Sequence, residues 1–131
     1  MDKKTHNPTP WLEHFGLHHG VEVSGATRTL YLSGQTASDA DGAPLHPGDL
    51  VAQYASAWQC LMDALDSAGM AASNLVRLNF YTTDVAGFME QAETITAHHI
   101  GAGATVASTL LGVQALYHPD IMIEIEGTAV A

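Results

Sequence analysis

Two glutamates near the end of the chain have the type and spacing needed for acid–base chemistry. Apolar residues alternate with Glu124 and Glu126 over positions 123–126. Because the side chains of a β-strand point alternately to opposite faces, both carboxylates share one face, about 7 Å apart by the strand rise. A carboxylate in a partly dry cleft acquires a raised pKa and can transfer protons near neutral pH. The structural alternative is that the two glutamates pair with Arg77 or Arg28 across the sheet.

The other residues with reactive side chains give weaker patterns. The histidines at 18–19 and 98–99 are adjacent pairs, which diverge on a strand or a helix instead of converging on an ion, so we expect no bound metal. The single cysteine, Cys60, falls on the same face of a predicted helix as Gln53. It has no histidine at pairing distance in the sequence. We therefore expect Cys60 to be inert.

Turn residues divide the chain into short periodic segments that position these groups. The most regular segment is an apolar stripe of helical spacing between Asp49, a helix N-cap, and Gly69, a helix stop. The predicted elements in chain order are two strands joined as a hairpin (21–23 and 29–33), this helix (49–69), a strand (75–83), a second helix from 84 to about 99, and two strands (about 106–113 and 121–130). The order ββαβαββ predicts an α+β fold, with one mixed sheet and both helices on one face.

Composition limits the class of protein. A length of 131 residues fits one domain, expected to span 1–131 with an N-terminal arm at 1–16. The formal net charge of −10 opposes nucleic-acid binding, which needs basic side chains against the phosphates. Charged residues make up only 14%, which favours burial of one sheet face in a homo-oligomer. The lone cysteine and the lack of an apolar signal or spanning stretch predict a cytoplasmic protein without membrane contact.

Four sequence motifs together resemble the Rid family (RidA/YjgF, the reactive-intermediate deaminases). They are LYLSGQ at 30–35, GDL at 48–50 before a long helix ending in AG at 68–69, YTTD at 81–84, and IEIEGTA at 123–129. The resemblance runs nearly end to end. It implies a chorismate-mutase-like fold, a homotrimer, and three clefts between subunits. In those clefts imines or enamines would be hydrolysed, without a cofactor, to a carbonyl compound and ammonia.

The resemblance assigns site residues only in part. Glu124 matches the family's acidic residue that holds the attacking water, and Gly34 matches the glycine whose backbone faces the substrate. The family's carboxylate-binding arginine lies in a Pro-Ala-Arg-Ser/Thr segment, and Ser108 stands in its place here. Leu17 replaces a family tyrosine, and Leu110 replaces a frequent cysteine. Because a bidentate arginine holds a substrate carboxylate strongly, we expect a more apolar and uncharged substrate.

The sequence therefore predicts a Rid-like enzyme that uses Glu124 for proton transfer. The expected site comprises Leu17, Gly34, Ser108, Thr109, Leu110 and Glu124. Two alternatives stay open: the same glutamate promotes a cyclisation, dehydration or tautomerisation, or the protein is a non-catalytic small-molecule binder or protective trimer. Ribonuclease action, sometimes attributed to the family, is opposed by the negative charge.

Overall fold

The structure, a computed structural model, describes all 131 residues. The strands are β1 (Asp2–His6), β2 (Leu17–His18), β3 (Gly20–Ser24), β4 (Thr29–Gln35), β5 (Leu75–Thr82), β6 (Val106–Ala107), β7 (Leu110–Gly112) and β8 (Ile123–Val130). The α-helices are α1 (Leu50–Ser67), α2 (Val85–Glu90) and α3 (Ala92–Gly101), and two 3₁₀ helices are η1 (Trp11–Phe15) and η2 (Ala72–Asn74). No helix combines the length and apolar character needed to cross a membrane.

A six-stranded mixed sheet organises the fold. Its strand order is β2-β6-β5-β8-β4. β7 pairs with the same edge of β5 as β6 does, but further along that strand. β8 pairs antiparallel with both β5 and β4, whereas β6 and β7 run parallel to β5. β1 and β3 form a separate two-stranded antiparallel ribbon. The predicted α+β class with a mixed sheet is confirmed.

One face of the sheet packs against α1 and forms the core. Leu78 of β5 and Ile123 and Ile125 of β8 are fully buried on this face, as are Tyr54 and Leu61 of α1. These positions alternate on the strands and recur at helical spacing on α1, so each element buries one apolar side. The residues between them on β5 and β8 point to the opposite, polar face of the sheet.

The ends of α1 and the start of α2 follow the sequence signals. The carboxylate of Asp49 accepts a hydrogen bond from the backbone N–H of Ala52 at 3.0 Å, which satisfies a donor that the first helical turn leaves free. Gly69 follows α1 with φ of 68°, a left-handed conformation that favours glycine. Asp84 caps α2 in the same manner as Asp49 caps α1, through the N–H of Gly87 at 2.9 Å.

The predicted hairpin between the first two segments is wrong. β3 pairs with β1, in the part of the chain predicted as an irregular arm, and β4 pairs with β8 instead. Four of the five residues of β1 are exposed, so the strand has no apolar alternation by which to recognise it. The ribbon is attached to the body by Lys3, whose ammonium donates hydrogen bonds to the carbonyls of Ser73 and Leu75.

Two further elements differ from the predicted ββαβαββ order. The second helix is divided into α2 and α3 at Gln91, which has φ of −103° and ψ of 12° and is both the C-cap of α2 and the N-cap of α3. The strand predicted over 106–113 is interrupted at Ser108 and Thr109, so that β6 and β7 pair with different parts of β5. The fold therefore has three α-helices where two were predicted.

Gln53, expected on the polar face of α1, is completely buried. Its amide nitrogen donates hydrogen bonds to the carbonyls of Leu45 (3.1 Å) and Asp120 (2.6 Å), and its amide oxygen accepts one from the N–H of Met122 (2.8 Å). All three partners belong to segments without regular structure. The side chain thus fixes the entry into β8, two residues before Glu124.

We expect Gln53→Leu to lower the free energy of unfolding by about 2 kcal/mol, because it leaves backbone groups buried without partners. Chemical denaturation of both proteins measures this difference. Gln59→Leu, on the exposed side of the same helix, is the matched control and should have little effect. Equal stabilities of the two variants would show that the buried amide does not hold these segments.

Candidate functional site

The register between β8 and β5 places four polar side chains together on the polar face. Glu124 lies opposite Tyr81, and Glu126 lies opposite Asn79. Opposed residues of an antiparallel pair point to the same side of the sheet. The strand alternation that buries the isoleucines of β8 therefore turns both glutamates away from α1. The predicted acidic pair on one sheet face is present.

Glu126 is held by β5 through two hydrogen bonds. The Tyr81 hydroxyl donates to Glu126 Oε1 at 2.5 Å, and the Asn79 side-chain amide donates to the same oxygen at 3.3 Å. This contact raises the pKa of the Tyr81 hydroxyl, because the bond to the carboxylate stabilises the protonated phenol. Glu126 is thus engaged within the chain.

The side chain of Glu124 makes no hydrogen bond within the chain, and the residue is half-buried. Burial is the main cause that raises the pKa of its carboxyl group from the ordinary 4.5, and the negative charge of Glu126 raises it further. Its carboxylate is thus available to water or to a ligand.

The structural alternative of ion pairs with arginine is wrong for this chain. Both ion pairs in the structure involve histidine, and neither glutamate of the acidic pair takes part. Arg28 donates to the carbonyl of Ala68 at 2.7 Å, and Arg77 donates to the side-chain oxygen of Asn79 at 3.4 Å. Neither Glu124 nor Glu126 therefore forms an ion pair with an arginine of the same chain.

Gly34 lies against the Glu124 carboxylate. A Cβ atom at this position would overlap Glu124 Oε1, so only glycine leaves the carboxylate where it is. The register of β4 against β8 shifts between Leu32 and Gln35, an irregularity that brings the Gly34 backbone over β8. The structure thus brings together the two predicted residues that match the family best.

Three other predicted residues lie on the opposite side of the sheet. Leu17, Ser108 and Leu110 line an apolar cavity of about 300 Å³. In the parallel pairing of β7 with β5, Leu110 is opposite the buried Phe80, whereas Leu111 is opposite Tyr81. Within one chain five of the six predicted residues therefore form two groups, one on each face.

Thr109 connects the two groups at the break between β6 and β7. Its N–H donates to the Asn79 side-chain oxygen at 3.1 Å, on the polar face, and its carbonyl accepts from the N–H of Phe80 at 2.9 Å. The preceding Ser108 lines the cavity, and its Oγ is buried without a hydrogen-bond partner. The break between β6 and β7 therefore contains one residue that contacts the polar face and one that lines the cavity.

Sequence reasoning missed Asn79 and Tyr81 as neighbours of the acidic pair. Their alternation with apolar residues predicted a polar strand face, but only the register shows which glutamate they hold. It also missed Trp11 and Phe15 as cavity residues. No group of three or more histidine, cysteine, aspartate or glutamate side chains is arranged to hold a metal ion.

The chain is similar in fold to solved structures of Rid and YjgF proteins. The Rid-family protein YyfB from Yersinia pestis is 33% identical, with a TM-score of 0.87 over 100% of both chains. The YjgF gene product of E. coli is 26% identical, with a TM-score of 0.69 over 86% of each chain. E. coli TdcF with bound serine, at 22% identity, has a TM-score of 0.69 over 87% of each chain and shows the fold alone.

Residues 17–131 match the family model described as Endoribonuclease L-PSP. The chain belongs to this family, the YjgF/RidA family. A comparison with curated protein sequences finds no match. The resemblance derived from the four sequence motifs is confirmed at the level of the family.

We expect Glu126→Gln to lower the pKa of Glu124. The substitution removes the negative charge that raises this pKa, yet glutamine can still accept the hydrogen bond from Tyr81. Burial remains the larger cause, so the pKa should stay above 4.5. A ¹³C NMR titration of the Glu124 carboxyl carbon measures the shift. Glu90→Gln on α2 serves as the control. An unchanged pKa in Glu126→Gln would show that the two carboxylates are not coupled.

Proposed function

We propose that this protein hydrolyses a reactive imine or enamine at Glu124. The observation that carries the proposal is the Glu124 carboxyl group itself: half-buried, without a hydrogen-bond partner in the chain, and with a pKa raised above its ordinary value by burial and by Glu126. Such a group exchanges protons with a bound water more readily than an exposed glutamate does. Membership of the Rid/YjgF family supports the reaction class.

The reaction consumes one water and includes four proton transfers, two of which pass through Glu124. Protonation of the imine nitrogen makes its carbon electrophilic, and Glu124 takes a proton from water as the oxygen attacks that carbon. The same carboxyl group returns the proton to the nitrogen of the tetrahedral carbinolamine. The C–N bond then breaks, ammonia leaves, and loss of the hydroxyl proton gives the carbonyl compound. An enamine enters the same sequence after protonation at its β-carbon.

Glu126 acts as a positioning residue in this proposal. Its hydrogen bonds to Tyr81 and Asn79 keep a second negative charge beside Glu124 while its own carboxylate stays occupied. This charge raises the pKa of Glu124 further than burial alone does, which makes its carboxylate a stronger base. Glu124 thus exchanges the proton, and Glu126 raises the affinity of Glu124 for that proton.

The substrate is proposed to lack a carboxylate. Ser108 occupies the position of the family's carboxylate-binding arginine, and the cavity that it lines contains no charged side chain. An uncompensated carboxylate is costly to bury. Leu17 and Leu110 line the same cavity, which supports an apolar substrate body.

Ribonuclease activity, which the family description names, is not proposed. The chain has 4 lysines and arginines against 14 aspartates and glutamates. Binding of RNA depends on basic side chains that replace the counterions of the phosphates. A net charge of −10 repels such a polyanion instead.

The polar face of the sheet supports a homotrimer in which neighbouring copies cover Glu124. Tyr31 is 80% exposed on this face, and Leu111 is 49% exposed beside Tyr81. Exposed aromatic and aliphatic groups around a polar centre are typical of protein interfaces. A second copy would enclose the acidic pair and raise the burial of Glu124.

Multi-angle light scattering should give three times the chain mass in solution. Tyr31→Asp places a charge on the proposed interface and should shift the mass towards that of one chain. Ile100→Asp is the control: it alters a residue of 50% exposure on α3, in the helical layer. A monomeric parent protein at micromolar concentration would contradict the trimer.

Glu124→Gln should slow imine hydrolysis by about 100-fold or more, because it removes the proton-exchanging group but retains most of the side-chain shape. The assay generates a neutral imine from benzylamine with a flavin-dependent amine oxidase and adds semicarbazide as a competing trap. It follows the initial rate of semicarbazone formation, which falls when the protein hydrolyses the imine first, because trapping and hydrolysis both release ammonia. The control is Glu90→Gln. The carboxylate-bearing imine formed from serine by a dehydratase should be a poor substrate for the parent protein.

The alternatives predict other results in the same assay. Consumption of the imine that depends on Glu124 but yields no benzaldehyde would indicate cyclisation, dehydration or tautomerisation. Binding without turnover in the parent protein would indicate a non-catalytic binder. An unchanged rate of imine hydrolysis in Glu124→Gln would contradict the proposed role of this residue.

A further inference from the structure

One buried histidine ties the N-terminal 3₁₀ helix η1 to helix α3. His99 of α3 is fully buried, and its Nε2 atom lies 2.9 Å from the carbonyl oxygen of Phe15, the last residue of η1. A carbonyl oxygen can only accept a hydrogen bond, so Nε2 carries the hydrogen. This bond joins η1 to the helical layer across 84 positions of the sequence.

The backbone that follows η1 is shaped to fit this contact. Gly16 has φ of 65°, a left-handed conformation that favours glycine. A Cβ atom here would overlap the side chain of Ile100 and lie 3.1 Å from His99 Nε2. The chain therefore lies directly against α3, and the C-terminal end of η1 leaves α3 only when the bond from His99 breaks.

The other ring nitrogen makes this bond sensitive to protonation. The Nδ1 atom of His99 is buried and has no hydrogen-bond partner in the chain. In the neutral ring, with its hydrogen on Nε2, Nδ1 carries only a lone pair. A proton on Nδ1 would place a charged donor without an acceptor inside the protein, which is far more costly. The closed position of η1 therefore requires a neutral imidazole.

The neighbouring elements supply no negative charge to a protonated ring. β5 presents Phe80, whose ring centroid lies 6.3 Å from that of His99. On α1, burial raises the pKa of Tyr54, so its phenol stays uncharged. The two titratable residues of η1, Glu13 and His14, are exposed, and neither ion pair of the structure includes the buried histidine.

We propose that His99 is a pH-sensitive latch, which holds η1 while its ring is neutral and releases η1 when the ring is protonated. Trp11, Leu12 and Phe15 of η1 line the apolar cavity. Their release opens this wall and exposes their apolar side chains, while the sheet and α1 stay folded. The inference rests on the contacts of His99 alone and is independent of the proposed function.

The direction of the pH dependence follows from the proton affinities of the closed and released states. In the closed state, burial is the main cause that lowers the pKa of His99 below the ordinary 6.5, and the adjacent His98 lowers it further, against the opposing effect of the carbonyls of Phe15 and Gly16. In the released state the ring is in water and its pKa returns towards the ordinary value. As the pH falls below 6.5, the released state therefore gains protons that the closed state does not, and the latch weakens by up to about tenfold per pH unit.

Amide hydrogen exchange, followed by NMR at about pH 7.5 and 5.5, tests the latch in the parent protein. The Gly16 N–H is bonded to the carbonyl of Glu13 within η1 at 3.0 Å, and a detached turn of this length is not stable alone. Its protection factor, corrected for the intrinsic rate at each pH, should fall about threefold or more at the lower pH. It should also stay well below that of Leu61 in α1. Unchanged protection of Gly16, or equal protection of the two amides, which indicates global unfolding, would overturn the proposal.

Substitutions of single histidines assign the effect. His99→Gln removes the titrating group and keeps a side-chain N–H for the Phe15 carbonyl, so the Gly16 protection factor should be the same at both pH values. His98→Gln, at the adjacent position, is the matched control and should retain the fall. His18→Gln is a second control, because His18 is hydrogen-bonded to Asn7 near the same segment. A fall that persists in His99→Gln, or that only a control abolishes, would contradict the assignment.

NMR signals of the imidazole nitrogens keep the proposal testable if His99→Gln fails to fold. In the parent at about pH 5.5, the His99 ring of the closed state should be neutral with its hydrogen on Nε2, whereas the exposed His14 should be largely protonated. A His99 ring that is protonated on Nδ1 while the Gly16 amide stays protected would overturn the latch.

Discussion

The pairing of β8 on both of its edges is the constraint on which the rest of the structure depends. β5 and β4 hold β8 in a fixed register, and this register determines which side chains of β8 face the core and which face the polar side of the sheet. Ile123 and Ile125 then form the core with α1, while Glu124 and Glu126 face the other way. A slip of one residue would exchange the two sets and bury both carboxylates. The core and the candidate site are thus two sides of the same strand.

The sequence predicts those elements that carry their own boundary and periodicity. α1 has an N-cap at Asp49, a left-handed stop at Gly69 and an apolar stripe between them, so both of its ends could be located. β5 and β8 alternate cleanly, because each has one buried face. The choice of strand partner is not a local property, and for that reason the hairpin of β3 with β4 was wrong. The sequence does not predict β1, because most of its side chains are exposed and show no apolar alternation.

The sequence predicts the candidate site, like the fold, as far as local patterns reach. Alternation placed Glu124 and Glu126 on one face, and the motifs singled out Glu124 and Gly34. What distinguishes the two glutamates is the position of Tyr81 and Asn79 on a strand about 45 residues away in sequence, and no local pattern contains that information. The same holds for the apolar cavity, because Phe15, which lines it, is hydrogen-bonded to His99, 84 residues away in sequence.

The small ribbon of β1 and β3 has a kinetic consequence. It is hydrogen-bonded within itself but is not part of the main sheet, and its side chains are mostly exposed. Such peripheral units open at a lower free energy than the central strands. Because η1 is the next element after β1 in the chain, partial detachment of the ribbon loosens the N-terminal segment while β5 and β8 stay paired. Amide protons of the ribbon then exchange by local opening, independently of global unfolding.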